Sequence, residues 1–382
     1  MRTYDVAIIG GGIIGASIAF ELAAEKIRVG IFDRQEPGRE ASWAAAGMLS
    51  PAPDSSRDLP LVPFAKESLK LYPGYVEAIE ETSGQSCAYA REGAIELFFS
   101  SDAETECRAR LRSLSELGIA AEMISAEAAR RTECAISASS TAALWLSEEG
   151  TVEPRRVIAA LLTAARNRGV EIRSDCGITE ILREGDRCTG VIAAGEKISA
   201  AHVVLAAGCF SEQIARADSH GPFAPTRPVR GQMIALRPAN GAAGLRRVVR
   251  SERGYLVPRR DGRIVAGSTT EEAGFEKHVT AGGLRKIVDG VVELCPELAG
   301  GQIVETWAGL RPGTPDDLPI LGPSDLAGLW IATGHYRNGI LLASATAKLI
   351  RGWIVSRNTE FDVDAFSPTR FSRRETRART AV

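Results

Sequence analysis

The sequence predicts an α/β fold in which a parallel-sheet domain, discontinuous along the chain, is interrupted by an α+β block whose sheet is mainly antiparallel. Two observations carry this. A strand–glycine–helix unit opens the chain at Val6 to Ala24, recurs around His202 to Ser211 and closes it at Leu329 to Ile354. Between the second and third units, from Pro222 to Trp307, the apolar spacing shifts from a period of about 3.6 to about 2. The 382 residues suffice for a large core and two domains.

In the first unit, Val6, Ala7, Ile8 and Ile9 form an apolar strand-like run, and Gly10, Gly12 and Gly15 follow at the spacing G-x-G-x-x-G. Ile14 to Ala24 reads as a helix, and Val29 to Phe32 is a second run that ends on Asp33. This order is Rossmann-like. Gly10 permits the tight turn, Gly12 lets backbone approach a pyrophosphate, and Gly15 lets the helix pack close to the sheet. The helix N-terminus offers free N–H groups and about half a positive charge. Asp33, about twenty residues beyond the turn, can accept hydrogen bonds from ribose hydroxyls. A ligand-free core turn could use the same glycines; the flanking strands and the acid favour a dinucleotide, without choosing FAD over NAD.

Composition narrows the partners. Charged residues make up 25% and the formal net charge is −2, so no field attracts nucleic acid or an anionic membrane. The longest uncharged apolar stretch, Val6 to Phe20, is short for a span and broken by glycines, so no stable membrane insertion is expected. The seven cysteines show no C-x-x-C pair and the histidines number four, so no metal site is expected. Free thiols of this kind suit a reducing cytoplasm. The absence of G-x-S-x-G and H-E-x-x-H removes support for hydrolase and metalloenzyme readings.

Ser42 to Leu49 (S-W-A-A-A-G-M-L) is rich in small residues, which suits either close approach to a flat ligand or tight helix packing. Phe64 to Thr82 has helical spacing, with a kink or a break expected at Pro73-Gly74. Asp102 to Leu117 reads as an amphipathic helix and Ser125 to Arg131 as a short capped one. Pro154 stands at a favoured first helical position before the helix Arg155 to Arg168. Val191 to Ala194 and Lys197-Ile198 suggest a small hairpin, followed by a separate strand His202 to Ala207, then Gly208 and a helix from Ser211. Asp261-Gly262 is a hairpin signal between two strand runs. Ile303 to Leu310 is a strand running into Arg311-Pro312-Gly313, and Gly334 to Gly339 is a turn ahead of the last helix. Arg311 and Arg337 could each grip a carboxylate with two parallel hydrogen bonds, or pair structurally with an acid. Tyr255, beside Gly254, could donate to the same carboxylate or be an ordinary strand aromatic.

Five stretches then occur in order: D-V-A-I-I-G-G-G-I-I-G, S-W-A-A-A-G-M-L, G-Y-L-V-P-R-R-D-G-R-I-V-A-G, W-A-G-L-R-P-G-T and G-H-Y-R-N-G-I-L-L-A. Together they resemble the D-amino-acid oxidase family of FAD enzymes and, within it, the bacterial glycine oxidases, from about Tyr4 to Phe366. The resemblance implies noncovalent FAD, since no cysteine stands near the two C-terminal motifs. It places Gly10, Gly12, Ile13, Ile14 and Gly15 at the pyrophosphate and Asp33 and Arg34 at the adenosine ribose. Ser42, Ala46, Gly47 and Met48 would lie along the isoalloxazine, with Ile178 on the adenine side and Gly208 at the second glycine turn. His335, Tyr336, Arg337, Asn338, Gly339, Ile340 and Leu341 would wrap the flavin pyrimidine. Arg311 would clamp the substrate carboxylate, Tyr255 would donate to it, and Arg337 would shape the substrate side. The partners implied are a small amino-acid substrate and molecular oxygen; a homo-oligomer stays open. The implied reaction is oxidative deamination of glycine, sarcosine or small D-amino acids, serving thiamine thiazole synthesis. A D-amino-acid dehydrogenase, a sarcosine-type oxidase and a non-catalytic flavin module stay open beside it. Residues 1–85, 145–220 and 310–366 would form the FAD-binding domain, 86–144 and 221–309 the substrate domain, and 367–382 a basic, disordered tail.

Overall fold

In the computed structural model, which describes residues 2–214, 223–239, 244–356, 358–359 and 361–371, the opening unit forms as its spacing predicts. Strand β1 (Thr3–Ile9) turns at Gly10 into helix α1 (Ile13–Ala24), and β2 (Val29–Phe32) returns parallel to β1. Ten of the twelve residues of α1 are buried, as expected of a helix apolar on all sides. Gly15 is required there, because a Cβ would stand 2.0 Å from the Gly10 carbonyl oxygen.

Helix α2 (Ala41–Ala44) and strand β3 (Met48–Leu49) occupy the small-residue segment, and α3 (Val62–Ser83) follows. The break expected at Pro73-Gly74 does not occur; α3 is one element. Its Leu69, Tyr72, Tyr75, Val76 and Ile79 are buried on both sides of the proline, whereas Pro73 and Gly74 lie on the exposed face. Carbonyls freed there can bind water, so packing holds the helix together.

Next come β4 (Ala94–Phe98), α4 (Ala103–Glu116), β5 (Glu122–Ser125), α5 (Ala126–Thr132), β6 (Ala142–Leu146) and β7 (Gly150–Thr151). The Ser125 hydroxyl caps α5 by accepting from the Ala128 N–H at 3.1 Å. Helix α6 (Pro154–Asn167) starts on its proline and leads to β8 (Glu171–Arg173), β9 (Ile178–Glu184), β10 (Arg187–Ala193) and β11 (Glu196–Leu205). The two strands expected between 197 and 207 are thus one. The first half of β11 pairs with β10 antiparallel, and its second half enters the core beside β1. The helix expected from Ser211 is instead a 3-10 turn, Gly208–Gln213; residues 215–222 lie outside the described chain.

The period-two region gives β12 (Arg227–Arg237), β13 (Val248–Ser251), β14 (Gly254–Pro258) and β15 (Ile264–Gly267), then α7 (Ala281–Leu294) and β16 (Gln302–Gly313). Strands β17 (Ile320–Pro323) and β18 (Leu329–Thr333) and helix α8 (Gly339–Arg351) close the chain. One sheet runs β17-β18-β11-β1-β2-β8 with a parallel centre and the β9–β10 pair attached at β11; the other runs β16-β12-β15-β14-β13-β4-β6-β5 and is antiparallel except at β13–β4. Helices α1, α3, α6 and α8 pack together on one face of the first sheet. Strands β6 and β16 run across the expected domain limits at 144/145 and 309/310, because each stays in the second sheet to its end.

One stretch among the described residues, Gly339–Ser356, is long and apolar enough to cross a membrane, but 56% of it is buried inside the fold, so core packing accounts for its composition. Arg370, counted with the basic tail, is not a loose end: it pairs with Asp316 at 2.9 Å. Arg373, Arg374, Arg377 and Arg379 lie outside the described residues.

Candidate active site

The two sheets face each other across a cleft of about 1350 Å³ that runs from the first glycine turn to the end of β16. Its first wall is mostly main chain. Gly10 has φ +102°, and a Cβ there would stand 2.6 Å from the Ala206 carbonyl oxygen. The start of α1 carries no acidic residue in its first turn. One of its N–H groups, that of Ile13, is already taken by the Ser42 hydroxyl at 2.9 Å. Ser42 therefore sits against the glycine turn as well as in the cleft lining. The Asp33 carboxylate accepts the N–H groups of Gly11 (2.8 Å) and Gln35 (3.1 Å). Burial raises its pKa, and those two bonds pull it back. Arg34 stacks on Phe210 at 3.4 Å and pairs with Glu40 at 2.6 Å.

At the far end, the turn before α8 is tied to β16: the Tyr336 N–H donates to the Pro312 carbonyl at 3.1 Å. No side chain caps α8 and its first turn has no acid, so its N-terminal dipole favours negative charge in the cleft. His335 is buried and bonded to the Thr346 hydroxyl at 3.1 Å; burial pushes its pKa down to about 3, so the ring is neutral.

The second wall is made of side chains. Arg311 is held by the Thr269 carbonyl (3.0 Å) and the Ser268 hydroxyl (2.7 Å), both neutral. Burial lowers its pKa, and among the described residues no carboxylate pairs with it. Room for the guanidinium comes from Gly231, where a Cβ would stand 2.3 Å from Arg311 Nη1. Arg250, on the same wall, differs: Glu96 (3.0 Å) and Glu149 (2.8 Å) neutralise it. Arg337 is likewise compensated, by Asp54 at 3.0 Å, and also donates to the Thr270 hydroxyl. Tyr255 donates to Met233 Sδ at 3.2 Å, a weak acceptor. A buried guanidinium without a counter-ion costs about 3–5 kcal/mol. Of the three arginines, Arg311 alone is poised for an acid from outside.

Gly10, Gly12, Ile13, Ile14, Asp33, Arg34, Ser42, Ala46, Gly47, Met48, Ile178, Gly208, Tyr255, Arg311 and His335 to Ile340 all line the cleft. Gly15 and Leu341 do not. Gly15 lies behind the turn against Gly10, and Leu341 faces the core, its carbonyl accepting from Ser68 at 2.6 Å. Sequence reasoning missed Ser268, Thr269, Thr270, Asp54 and the Arg250 cluster, for which no spacing signal exists. It also missed Gly231, whose place inside a strand is itself a sign of close approach.

An elongated cleft with a glycine turn, an acid facing it and a helix N-terminus without acids at each end fits a dinucleotide carrying a flat ring system. Comparisons with known proteins agree. Residues 5–353 match the family model described as DAO, FAD dependent oxidoreductase. The chain is 35% identical to the glycine oxidase of Pseudomonas putida, over 95% of this chain and 98% of that protein. It is 33% identical to the bifunctional protein ThiO/ThiG of Trichormus variabilis over 97% of its own length, and spans about half, 56%, of that relative. Among solved structures, the glycine oxidase from Geobacillus kaustophilus superposes with a TM-score of 0.90 at 31% identity, covering 97% of this chain and 99% of that one.

Proposed function

The chain belongs to the FAD-dependent oxidoreductases, and from that premise we propose that it oxidises glycine and other small amino acids and amines, including sarcosine and small D-amino acids. Glycine, oxygen and water would yield glyoxylate, ammonia and hydrogen peroxide. The first sheet and its helices would hold FAD, the second sheet would bind substrate, and a place in thiamine thiazole synthesis is part of the same reading. Likeness to the glycine oxidases and to the bifunctional ThiO/ThiG protein supports it.

The observation that carries the proposal is the uncompensated Arg311 guanidinium in the cleft. Thr269 and Ser268 take two of its five N–H donors, which leaves donors for the substrate carboxylate. Tyr255 exchanges its weak sulfur contact for a second bond to that carboxylate. Binding so fixed orients the α-carbon toward the wall formed by residues 42–48 and 335–340. FAD, when bound, would supply the hydride acceptor, with oxygen as the final oxidant. The main chain of the glycine turn and Asp33 would hold the cofactor's phosphates and ribose, and the start of α8 would favour negative charge on the ring system. The amine binds unprotonated, so no side chain is assigned as general base.

A panel of glycine, sarcosine, D-alanine and L-proline, read by peroxide release, tests the assignment. Peroxide with glycine or sarcosine at micromolar enzyme supports it. Dye reduction without peroxide would favour a dehydrogenase of the same fold, and flavin colour without any response would favour a binding module.

A further inference from the structure

The segment 42–48 is gripped from the opposite sheet by two side chains to which the mechanism above gives no part. Arg259, the residue after β14, donates from Nη2 to the Ala46 carbonyl at 2.6 Å and from Nη1 to the Val152 carbonyl at 3.1 Å. Trp307, on β16, donates its Nε1–H to the Ala44 carbonyl at 3.0 Å. Val152 in turn donates its N–H to the Gly47 carbonyl at 2.9 Å, so Arg259 spans both sides of this backbone contact. Gly47, with φ +81°, is needed because a Cβ would stand 2.2 Å from the Val152 oxygen.

Arg259 is an expensive fastener. Burial pushes its pKa down to about 10, and among the described residues no carboxylate pairs with it; its neighbour Glu153 is committed to Arg156 and Arg263. A neutral side chain would fill the space without that cost. The placement of the two donors supplies a reason. Arg259 stands four residues after Tyr255, and Trp307 four residues before Arg311. On β16, residues two apart share a face. Trp307 reaches Ala44, Gly309 leaves room for it (a Cβ there would stand 2.4 Å from Ala44 Cβ), and Arg311 enters the cleft.

We propose that Arg259 and Trp307 are positioning residues that set the distance and tilt of the 44–47 backbone, the wall beside the flavin, relative to Tyr255 and Arg311. The two elements that carry the substrate donors thereby also carry the fasteners that hold the cofactor wall to them. This inference rests on the FAD assignment above, and its test reads flavin binding separately from turnover.

The test compares the wild-type holoenzyme with Arg259→Met, Arg259→Lys and Trp307→Phe. Four quantities are read: the FAD dissociation constant, visible circular dichroism of the bound flavin, kcat and KM for glycine, and Tm of the flavin-free protein. In Arg259→Met the FAD dissociation constant should rise about tenfold, equivalent to about 1.4 kcal/mol. Its visible dichroism should change and kcat should fall about tenfold. KM should stay within about twofold, because Arg311 is untouched. Arg259→Lys, which can serve one carbonyl, should fall between, and Trp307→Phe should move the same quantities by a smaller factor. Wild-type dichroism and FAD affinity in both Arg259→Met and Trp307→Phe would overturn the proposal. So would a lowered Tm with an unchanged flavin signal, which is the mark of a merely structural role. If Arg259→Met does not fold, Trp307→Phe and Arg259→Lys decide by the same readouts. A wild-type protein that binds no FAD would refute the functional reading instead.

Discussion

The two walls of the cleft are built on opposite plans. The wall of the first sheet is largely backbone: Gly10, Gly12, the start of α1, the 44–47 segment and the start of α8, and the charged side chains Asp33, Arg34 and Arg337 beside it already have partners within the fold. The wall of the second sheet is side chain: Arg311, Tyr255, Arg250, Ser268 and Thr270, projecting from strands or their ends. A backbone wall suits a large ligand of invariant shape, since N–H groups and dipoles are fixed by the fold. A side-chain wall suits a small ligand whose recognition turns on one or two charges. Arg311 and Arg250 show how selective the second plan is: both are arginines on the same wall, yet Glu96 and Glu149 satisfy one and, among the described residues, no carboxylate pairs with the other.

The contrast can be broken most directly at Arg311. Arg311→Met removes the guanidinium and keeps most of its length. We expect kcat/KM for glycine to fall about a thousandfold, or about 4 kcal/mol, mostly through KM, with FAD affinity unchanged. Gly231→Ala attacks the same group without altering it. Its Cβ would overlap the guanidinium, so steady-state assays should show about a hundredfold loss while far-UV circular dichroism stays native. On the backbone wall, Gly12→Ala sharpens the comparison. A Cβ there meets only the Ser42 hydroxyl, at 3.3 Å, so the protein should fold. Crowding the pyrophosphate approach should still raise the FAD dissociation constant about tenfold, with KM for glycine unmoved in the loaded fraction.

A separate effect, on stability and not on the cleft's ligands, concerns acid. The folded His335 pKa lies near 3, below its unfolded value near 6.5, so the unfolded chain binds the extra proton. The neutral ring's contribution is complete above about pH 6.5 and is lost as pH falls toward about 3, at up to about 1.4 kcal/mol per pH unit. Urea unfolding at pH 7 and pH 5 should show this slope, and His335→Gln should flatten it.

How much was legible follows the same division. The backbone wall announced itself, because a glycine turn between two apolar runs and an acid has a fixed spacing. Arg311 and Tyr255 were singled out by residue type and resemblance, but their separation from any acid could be seen only in three dimensions. Ser268 and Thr269, just past β15, and Gly231, on β12, meet Arg311 from separate parts of the chain, so no linear pattern connects them. The alternative of two short helices at Pro73 failed for a related reason: local propensity favours ending a helix there, and buried contacts on both sides of the proline keep α3 one element. The doubled strand at 197–207 likewise became one, because β11 changes partners midway, which no local period records.

The central claim is that an unpaired guanidinium selects an acid-bearing amine. Anaerobic titration of the wild-type holoenzyme with glycine and with methylamine, followed by the visible absorbance of the flavin, puts it to the sharpest test. The account predicts bleaching by glycine at concentrations at least a hundredfold below any response to methylamine, and loss of that preference in Arg311→Met. Equal bleaching by the two amines, or a preference that survives Arg311→Met, would contradict it.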